Sequence, residues 1–554
     1  MAMLQQIYHK FTTASTHPRS KDGPSGRTPP ATMTRWSNLA MCMLVIVSGG
    51  TVYSFGAYSS ALKEKLSLTQ EQLEIAALCS NLGNYIGLAG FFYDRFGAAT
   101  SVRFGAGLIG AGYGAQWLLM KRGAALGPAL AAPLLCVCCF VWGHGSGYLD
   151  VAAIGTGVAA FPRQRGAVVG LLKSLYGLAS SLIVLFAAYW SSEETFVGIL
   201  ALIALGLPLV ATLGLDVGGP NEAAEDGGED DASASKALDA ASLRIVGLAA
   251  AALTLAVLRI VAPTLFSSLG ANVAVSVVVA LGLAYQTRVA AGPAKAPAFA
   301  PLESRNPLAD EEPGDEERAP SLNRGAKRTS LAGTLESPPR ATAVRPELWL
   351  FLAAILPGAG MGLMTINNLG QIVSARGGNL AMQEACTTLV SIANCLGRLA
   401  CGRVADSLVA RGTPRPALMV AADLAGCLSM LFLYASGESV GAALAGAACA
   451  GFAYGMIWTL IPTLASDLFG RESFGSNYML CLPAVIAGSI LFSTLLAPAV
   501  YAANASTDDD DDAVGCVGAG CFGDTFLATA AACLVGASAA AGLLVKSRRL
   551  YELQ

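Results

Sequence analysis

Apolar runs of roughly twenty residues, separated by short polar blocks, recur along nearly the whole chain. Each is long enough to cross a hydrocarbon core of about 30 Å as a helix. The pattern predicts helices at 36–58, 74–94, 100–120, 129–160, 167–190 and 195–215. Two more follow at 243–262 and 265–286, joined through Pro263, and a last six at 347–373, 382–402, 416–435, 440–466, 476–501 and 524–545. A transmembrane β-barrel would instead alternate apolar and polar positions over segments of about ten residues. The chain reads as an all-α polytopic membrane protein with about 14 transmembrane helices, arranged six, two and six.

The polar stretches divide the chain. Residues 1–35 are rich in Ser, Thr and Pro and read as a disordered cytosolic tail. Residues 36–215 form the first six-helix bundle, 216–242 an acidic cytosolic loop, and 243–286 two extra membrane helices. Residues 287–346 combine Pro, Ala, Glu and Arg without apolar periodicity and read as a disordered cytosolic linker. A second six-helix bundle spans 347–545, and 546–554 is a cytosolic tail. With both termini in the cytoplasm, most of the 35 lysines and arginines fall on the inner side. The exceptions are Lys63, Lys65, Lys121, Arg122 and Arg376 on outer loops, and Lys173 and Arg259 inside helices.

Composition agrees with this reading. Hydrophobic residues make up 54% and charged residues only 13%, against about a quarter charged in soluble domains. The 14 cysteines show no metal spacing, and most lie inside apolar runs as small core residues. Only Cys516 and Cys521 occupy a polar loop, where they can close a small disulfide in an oxidising lumen. The same loop carries Asn504-Ala505-Ser506, an N-glycosylation acceptor. No motif calls for a cofactor, a metal, nucleic acid or a catalytic centre.

Two turns repeat. Gly90-Phe91-Phe92-Tyr93-Asp94-Arg95-Phe96-Gly97 sits between the second and third helices, and Gly402-Arg403-Val404-Ala405-Asp406 repeats its Gly-x-x-x-Asp after the eighth of the twelve bundle helices. Trp36 precedes Asp94 by 58 residues, and Trp349 precedes Asp406 by 57. A second basic turn, Phe161-Pro162-Arg163, is matched by Phe469-Gly470-Arg471. The halves are parallel repeats of six helices, an arrangement that puts the substrate site at the repeat interface.

These residues carry a resemblance. Gly90 to Asp94 with Arg95 and Gly97 resembles the second-to-third-helix signature of the major facilitator superfamily, with Ala98 and Ala99 where basic residues usually complete it. Arg35-Trp36, Gly49-Gly50-Thr51-Val52-Tyr53-Ser54-Phe55-Gly56 and Phe161-Pro162-Arg163-Gln164-Arg165-Gly166 resemble the plant nodulin-like family within it. Asn367-Asn368-Leu369-Gly370-Gln371-Ile372, Asn394-Cys395-Leu396-Gly397-Arg398 and Ser466-Asp467-Leu468-Phe469-Gly470 fit the same pattern. The resemblance implies a major facilitator fold whose bundles rock about a central cavity. Gly90, Asp94, Arg95, Gly97, Gly402, Arg403 and Asp406 would form cytoplasmic gates, with Asp94 and Arg95 bearing more of the load in the first half.

Ionisable residues at membrane depth are costly enough to call for a partner or a role. Lys173 follows Arg165 by eight residues, roughly 12 Å into its helix. Asp150 precedes Phe161 by eleven, roughly 16 Å deep on the antiparallel neighbour. The two are expected to pair in the empty carrier, with an anionic substrate competing for Lys173. A purely structural ion pair is the alternative. His144, in a Gly143-His144-Gly145-Ser146-Gly147 run expected to loosen its helix, can carry a proton near neutral pH. It lies six positions from Asp150 and so on another face. Asn367, Asn368 and Gln371 are candidates for a polar cavity wall, Asn367 and Gln371 at i, i+4. Tyr53, Tyr176, Tyr454 and Trp458 are candidate lining residues; Arg259 and Asp423 read as structural or interfacial.

The expected function is secondary active transport of a small polar, anionic solute, an inorganic anion or a carboxylate, with protons as candidate coupling ions. The protein is expected to act as a monomer in the bilayer of the plasma membrane or an endomembrane such as vacuole or endoplasmic reticulum, ahead of an organellar envelope. A sensor or scaffold that kept the fold without transport, and an exporter of organic compounds, remain alternatives.

Overall fold

A computed structural model of the chain describes residues 35–187, 193–213, 231–261, 336–505 and 516–551, and helix is the regular structure throughout them. The first bundle opens with α1 (Arg35–Gly49), which tightens into a 3-10 turn at Gly50–Ser54 and resumes as α2 (Phe55–Lys65). Thr69 starts α3 (Gln70–Tyr85) with a capping box. Its hydroxyl accepts from the Gln72 N–H while the Gln72 side chain accepts from the Thr69 N–H. A 46° bend separates α3 from α4 (Leu88–Arg122). The predicted eight-residue turn narrows to a single break inside α4. The chain stays helical through Asp94 and Arg95 and breaks at Gly97, at φ +78° and ψ 177°, which only glycine adopts without strain.

α5 (Pro128–Ala160), α6 (Arg165–Ala187) and α7 (Glu193–Ala211) complete this bundle. The glycine run around His144 does not loosen α5, which is one continuous helix. A Cβ at Gly143, Gly145 or Gly147 would collide with backbone atoms of Ser80, Ile109 and Asn84. The run therefore lets α3 and α4 approach α5 backbone to backbone, the way helices associate without a hydrophobic driving force.

The inserted helix α8 (Asp231–Val261) begins twelve residues ahead of its predicted start. The end of the acidic stretch, Asp231-Ala232-Ser233-Ala234-Ser235-Lys236-Ala237-Leu238, is alanine-rich enough to extend it. α8 packs against both α6 and α12. The predicted helix at 265–286 and the first 34 residues fall outside the described residues, as do residues 216–230 of the acidic loop and 287–335 of the linker. The linker's last part has structure: Ser337 N–H donates to the Phe469 carbonyl at 3.0 Å, and α9 (Pro339–Val344) follows.

The second bundle comprises α10 (Pro346–Asn367), α11 (Leu369–Ser374), α12 (Leu380–Ala410), α13 (Pro416–Ala435) and α14 (Val440–Phe469). α15 (Phe474–Cys481), α16 (Pro483–Gly488), a π-helical stretch at Ser489–Leu496 and α17 (Ala497–Ala503) make one broken apolar span, and α18 (Gly520–Tyr551) ends the fold. Among the described residues, nine helices are long and apolar enough to cross a membrane, or up to ten if the bent pair Glu71–Tyr85 and Leu88–Arg122 is one span. The bundles meet along two seams, α4 against α15 and α6 against α12.

Candidate functional site: two capped seams beside a charged cavity

The repeated Asp residues end up on equivalent sides of the two seams. Asp94 accepts hydrogen bonds from the N–H groups of Gly475 and Ser476, at 2.9 and 2.7 Å, at the start of α15. Asp406 accepts from Gly166 and Ala167, at 3.0 and 2.8 Å, at the start of α6. Each carboxylate of one bundle thus caps a helix of the other, where unpaired N–H groups and the helix dipole favour an anion. The glycines explain how the helices come so close. Cβ atoms on Gly90 and Gly402 would overlap the backbones of Gly475 and Gly166.

The second seam has ionic reinforcement. Arg415 donates to Asp406 Oδ1 at 2.8 Å and to Asp467 Oδ2 at 2.5 Å, and Arg165 of the first bundle pairs with Asp467 Oδ1 at 2.9 Å. Tyr551 also donates to Asp467, at 2.7 Å. In the landmark spacing of the repeats, Ala159 stands where Asp467 does, so the first seam cannot build this pair. Arg95, expected to share the load there, is exposed beside the Phe96 ring at 5.6 Å. Arg403 turns away from the seam and grips α8, with Nε 2.5 Å from Asp239 Oδ1 and its guanidinium donating to Ser235.

About two helical turns beyond these caps lies a small cavity lined by Tyr53, Asn84, Tyr85, Asp150, Lys173, Tyr176, Arg398 and Trp458. Lys173 is 2% exposed. Its Nζ donates to both oxygens of Asp150, each at 2.7 Å, and to the hydroxyl of Tyr478 at 2.9 Å. Tyr478 in turn donates to Asp150 Oδ2 at 2.8 Å. The ammonium therefore spends all three of its protons, one of them on the other bundle. It also lies 5.0 Å from the centre of the Trp458 ring and 5.4 Å from that of Tyr176.

Arg398 is the second cation, 1% exposed. Its Nε donates to Asn394 Oδ1 at 3.0 Å, and Nη1 donates across the seam to the backbone carbonyl of Lys173. Facing these two cations is one carboxylate, Asp150. The indole Nε1 of Trp458 is buried without an acceptor. Tyr176 is held by Ser146, with the two hydroxyls 2.7 Å apart, and meets Tyr53 edge to face at 5.4 Å. Tyr53, at 40%, is the exposed member of the lining.

Other predicted site residues lie elsewhere. His144 Nδ1 is 2.9 Å from the Gly83 carbonyl, between the rings of Phe140 and Tyr148, and is absent from the cavity lining. Asn367 and Asn368 both donate to Ser493 Oγ, at 3.0 and 3.5 Å, and Gln371 is exposed. The helix breaks between Asn367 and Leu369, so Asn367 and Gln371 share no continuous face. Asn504 is exposed at the end of α17, and Cys516 and Cys521 are joined in a disulfide. Among the described residues no group of three or more His, Cys, Asp and Glu is placed to hold a metal ion. Sequence reasoning missed Arg398 and Tyr478. Arg398 had a signal, since it precedes Asp406 by the same eight residues that separate Lys173 from Arg165; Tyr478 had none.

Two repeated bundles meeting over a charged, buried cavity, with mutual carboxylate caps joining them, define an integral membrane transporter of the major facilitator fold. The fold is similar to that of the proton:xylose symporter XylE bound to 6-bromo-6-deoxy-D-glucose, at a TM-score of 0.52 and 12% identity, over 91% of this chain and 94% of that one. The Nodulin-like family model matches residues 35–286, and the model of the NFD4 C-terminal domain matches 340–553. The similarity to the nodulin-like family thus covers the first bundle and runs on to residue 286. The chain is 26% identical over 559 residues to Protein NUCLEAR FUSION DEFECTIVE 4 of Arabidopsis thaliana, covering 98% of this chain and 94% of that protein. A shorter match, 28% identical over 148 residues, is to the oxalate:formate antiporter of Oxalobacter formigenes, covering 26% of this chain and 33% of that protein.

Proposed function

We propose that the protein moves a small anion, inorganic or carboxylate, by alternating access through the cavity between its bundles. The observation that carries this reading is the imbalance of the lining: Lys173 and Arg398 against the single carboxylate of Asp150. A buried excess cation is an expensive feature that an anionic solute offsets. The partial match to a protein named an oxalate:formate antiporter supports the same class of solute.

The hydrogen-bond inventory supplies a coupling route. Because Lys173 has no spare proton, an anion that approaches it must displace Asp150 or Tyr478. Tyr478 and the Arg398 bond to Lys173 both bridge the bundles. Solute binding therefore exchanges bonds that hold the bundles together for bonds to the solute, the differential interaction that a ligand-driven change of state requires. The caps at Asp94 and Asp406 act in this cycle as the gate that closes one face and releases on the return.

Purified protein in liposomes, screened over nitrate, carboxylates and amino acids with and without a pH gradient, is expected to take up an anion. Lys173→Ala and Arg398→Ala should each slow uptake by about tenfold or more, equivalent to about 1.4 kcal/mol. Native uptake by Lys173→Ala, or selective uptake of neutral or cationic solutes, overturns the anionic reading. Binding of an anion without uptake would return the sensor reading.

A further inference from the structure

α13 carries a carboxylate that neither the gate nor the cavity uses. Asp423 is 0% exposed, and neither of its side-chain oxygens has a hydrogen-bond partner. That burial excludes the interfacial role expected from the sequence. Two glycines make the space. A Cβ on Gly358 of α10 would touch Asp423 Oδ1, and one on Gly536 of α18 would touch Oδ2. The same notch is walled by Pro357 of α10 and Ile457 of α14. The titratable groups facing it are the thiols of Cys533 on α18 and Cys427 one turn along α13. Arg415, a cation at the start of α13, is eight residues away, roughly 12 Å along the helix, and is engaged by Asp406 and Asp467.

A carboxylate with no donor and no counter-charge in an apolar notch takes up a proton, because removing the ion from water costs far more than removing the neutral acid. The position also has a means of changing. Pro357 lies inside α10 and removes one rung of its hydrogen-bond ladder beside the carboxyl group, so α10 is least braced at this level.

We propose that Asp423 is a proton-binding site of the second bundle. It is a neutral acid in the conformation seen here, and it passes its proton to water when α10 loosens from α13 and α18 during the cycle. The transfer leaves a carboxylate and a hydronium ion and involves no other reactant. The coupling half of this proposal rests on the transport reading above; the proton site itself does not.

The test uses native protein in lipid and two readouts. Infrared difference spectra between acidic and alkaline buffer should contain a protonated-carboxyl carbonyl band that is lost in Asp423→Asn and shifted in Asp423→Glu. The glutamate variant decides the point if the asparagine variant fails to fold. A band unchanged in both overturns the proton site. In liposomes, Asp423→Asn should lose accumulation driven by a pH gradient while exchange at equal pH continues. Undiminished accumulation overturns the coupling. If native protein accumulates no solute at all, the transport reading fails while the infrared band still decides the site.

Discussion

The two gate carboxylates make the same bonds but should not be equally costly to replace. Each accepts two backbone N–H groups from the opposite bundle. A hydrogen bond to a charged group contributes about 1.5–3 kcal/mol, and the helix dipole adds about 0.3–1 kcal/mol. Substitution by Asn leaves one neutral acceptor and turns an amide N–H toward the second donor. The charge of Asp406 is partly taken up by Arg415 at 2.8 Å, whereas Asp94 leans on its bonds to Gly475 and Ser476. We therefore assign about 3 kcal/mol to Asp94→Asn and about 2 kcal/mol to Asp406→Asn. At about 1.4 kcal/mol per decade, these shift the ratio of closed to open gate by roughly 100-fold and roughly 30-fold. Contacts inside the second bundle, such as that between Arg415 and Asp467, persist on opening and do not enter the difference. Hydrogen exchange reads the effect directly, because the amides of Gly475, Ser476, Gly166 and Ala167 are the donors and their exchange follows the open population. Both variants should exchange faster at both seams, Asp94→Asn more so. Rates within about twofold of native, or a larger effect from Asp406→Asn, would refute the reasoning.

Arg415→Ala should lose about 3 kcal/mol, because it removes the shared counter-charge of Asp406 and Asp467 and leaves Asp467 with Arg165 and Tyr551; a drop in thermal unfolding temperature in detergent measures it. Arg403→Ala, which breaks a pair whose side chains are 30% and 48% exposed, should lose less than about 1 kcal/mol in the same assay. Replacing Cys516 and Cys521 with Ser should cost about 2 kcal/mol through the freed loop. In the native chain, alkylation of those two thiols, followed by mass spectrometry, should require prior reduction.

What could be read from the sequence divides along a physical line. The bilayer forces long apolar helices, so the spans and their two-fold repetition stand out in the pattern itself. Depth along a helix is also fixed, at about 1.5 Å per residue, and it was enough to bring Lys173 and Asp150 to one level on adjacent helices. Which partner a polar residue then finds depends on packing that no periodicity encodes. His144 and Asn367 stood in apolar helices as visibly as Lys173 did, yet one meets the Gly83 carbonyl and the other Ser493. Both join helices of their own bundle. Lys173 differs because its bonds reach Tyr478 in the other bundle, and α6 and α15 do not adjoin in sequence. Arg398 shows how far depth alone can go. Counted as a helix-end charge, it belongs to the inner surface; measured eight residues back from Asp406, it belongs at the level of Lys173. Depth, not the repeat, gives this match, because the repeat equivalents of Arg398 and Lys173 are Ile86 and Cys481. A site for an anion between the bundles requires that juxtaposition, since one lysine already satisfied by Asp150 would leave no charge for the solute.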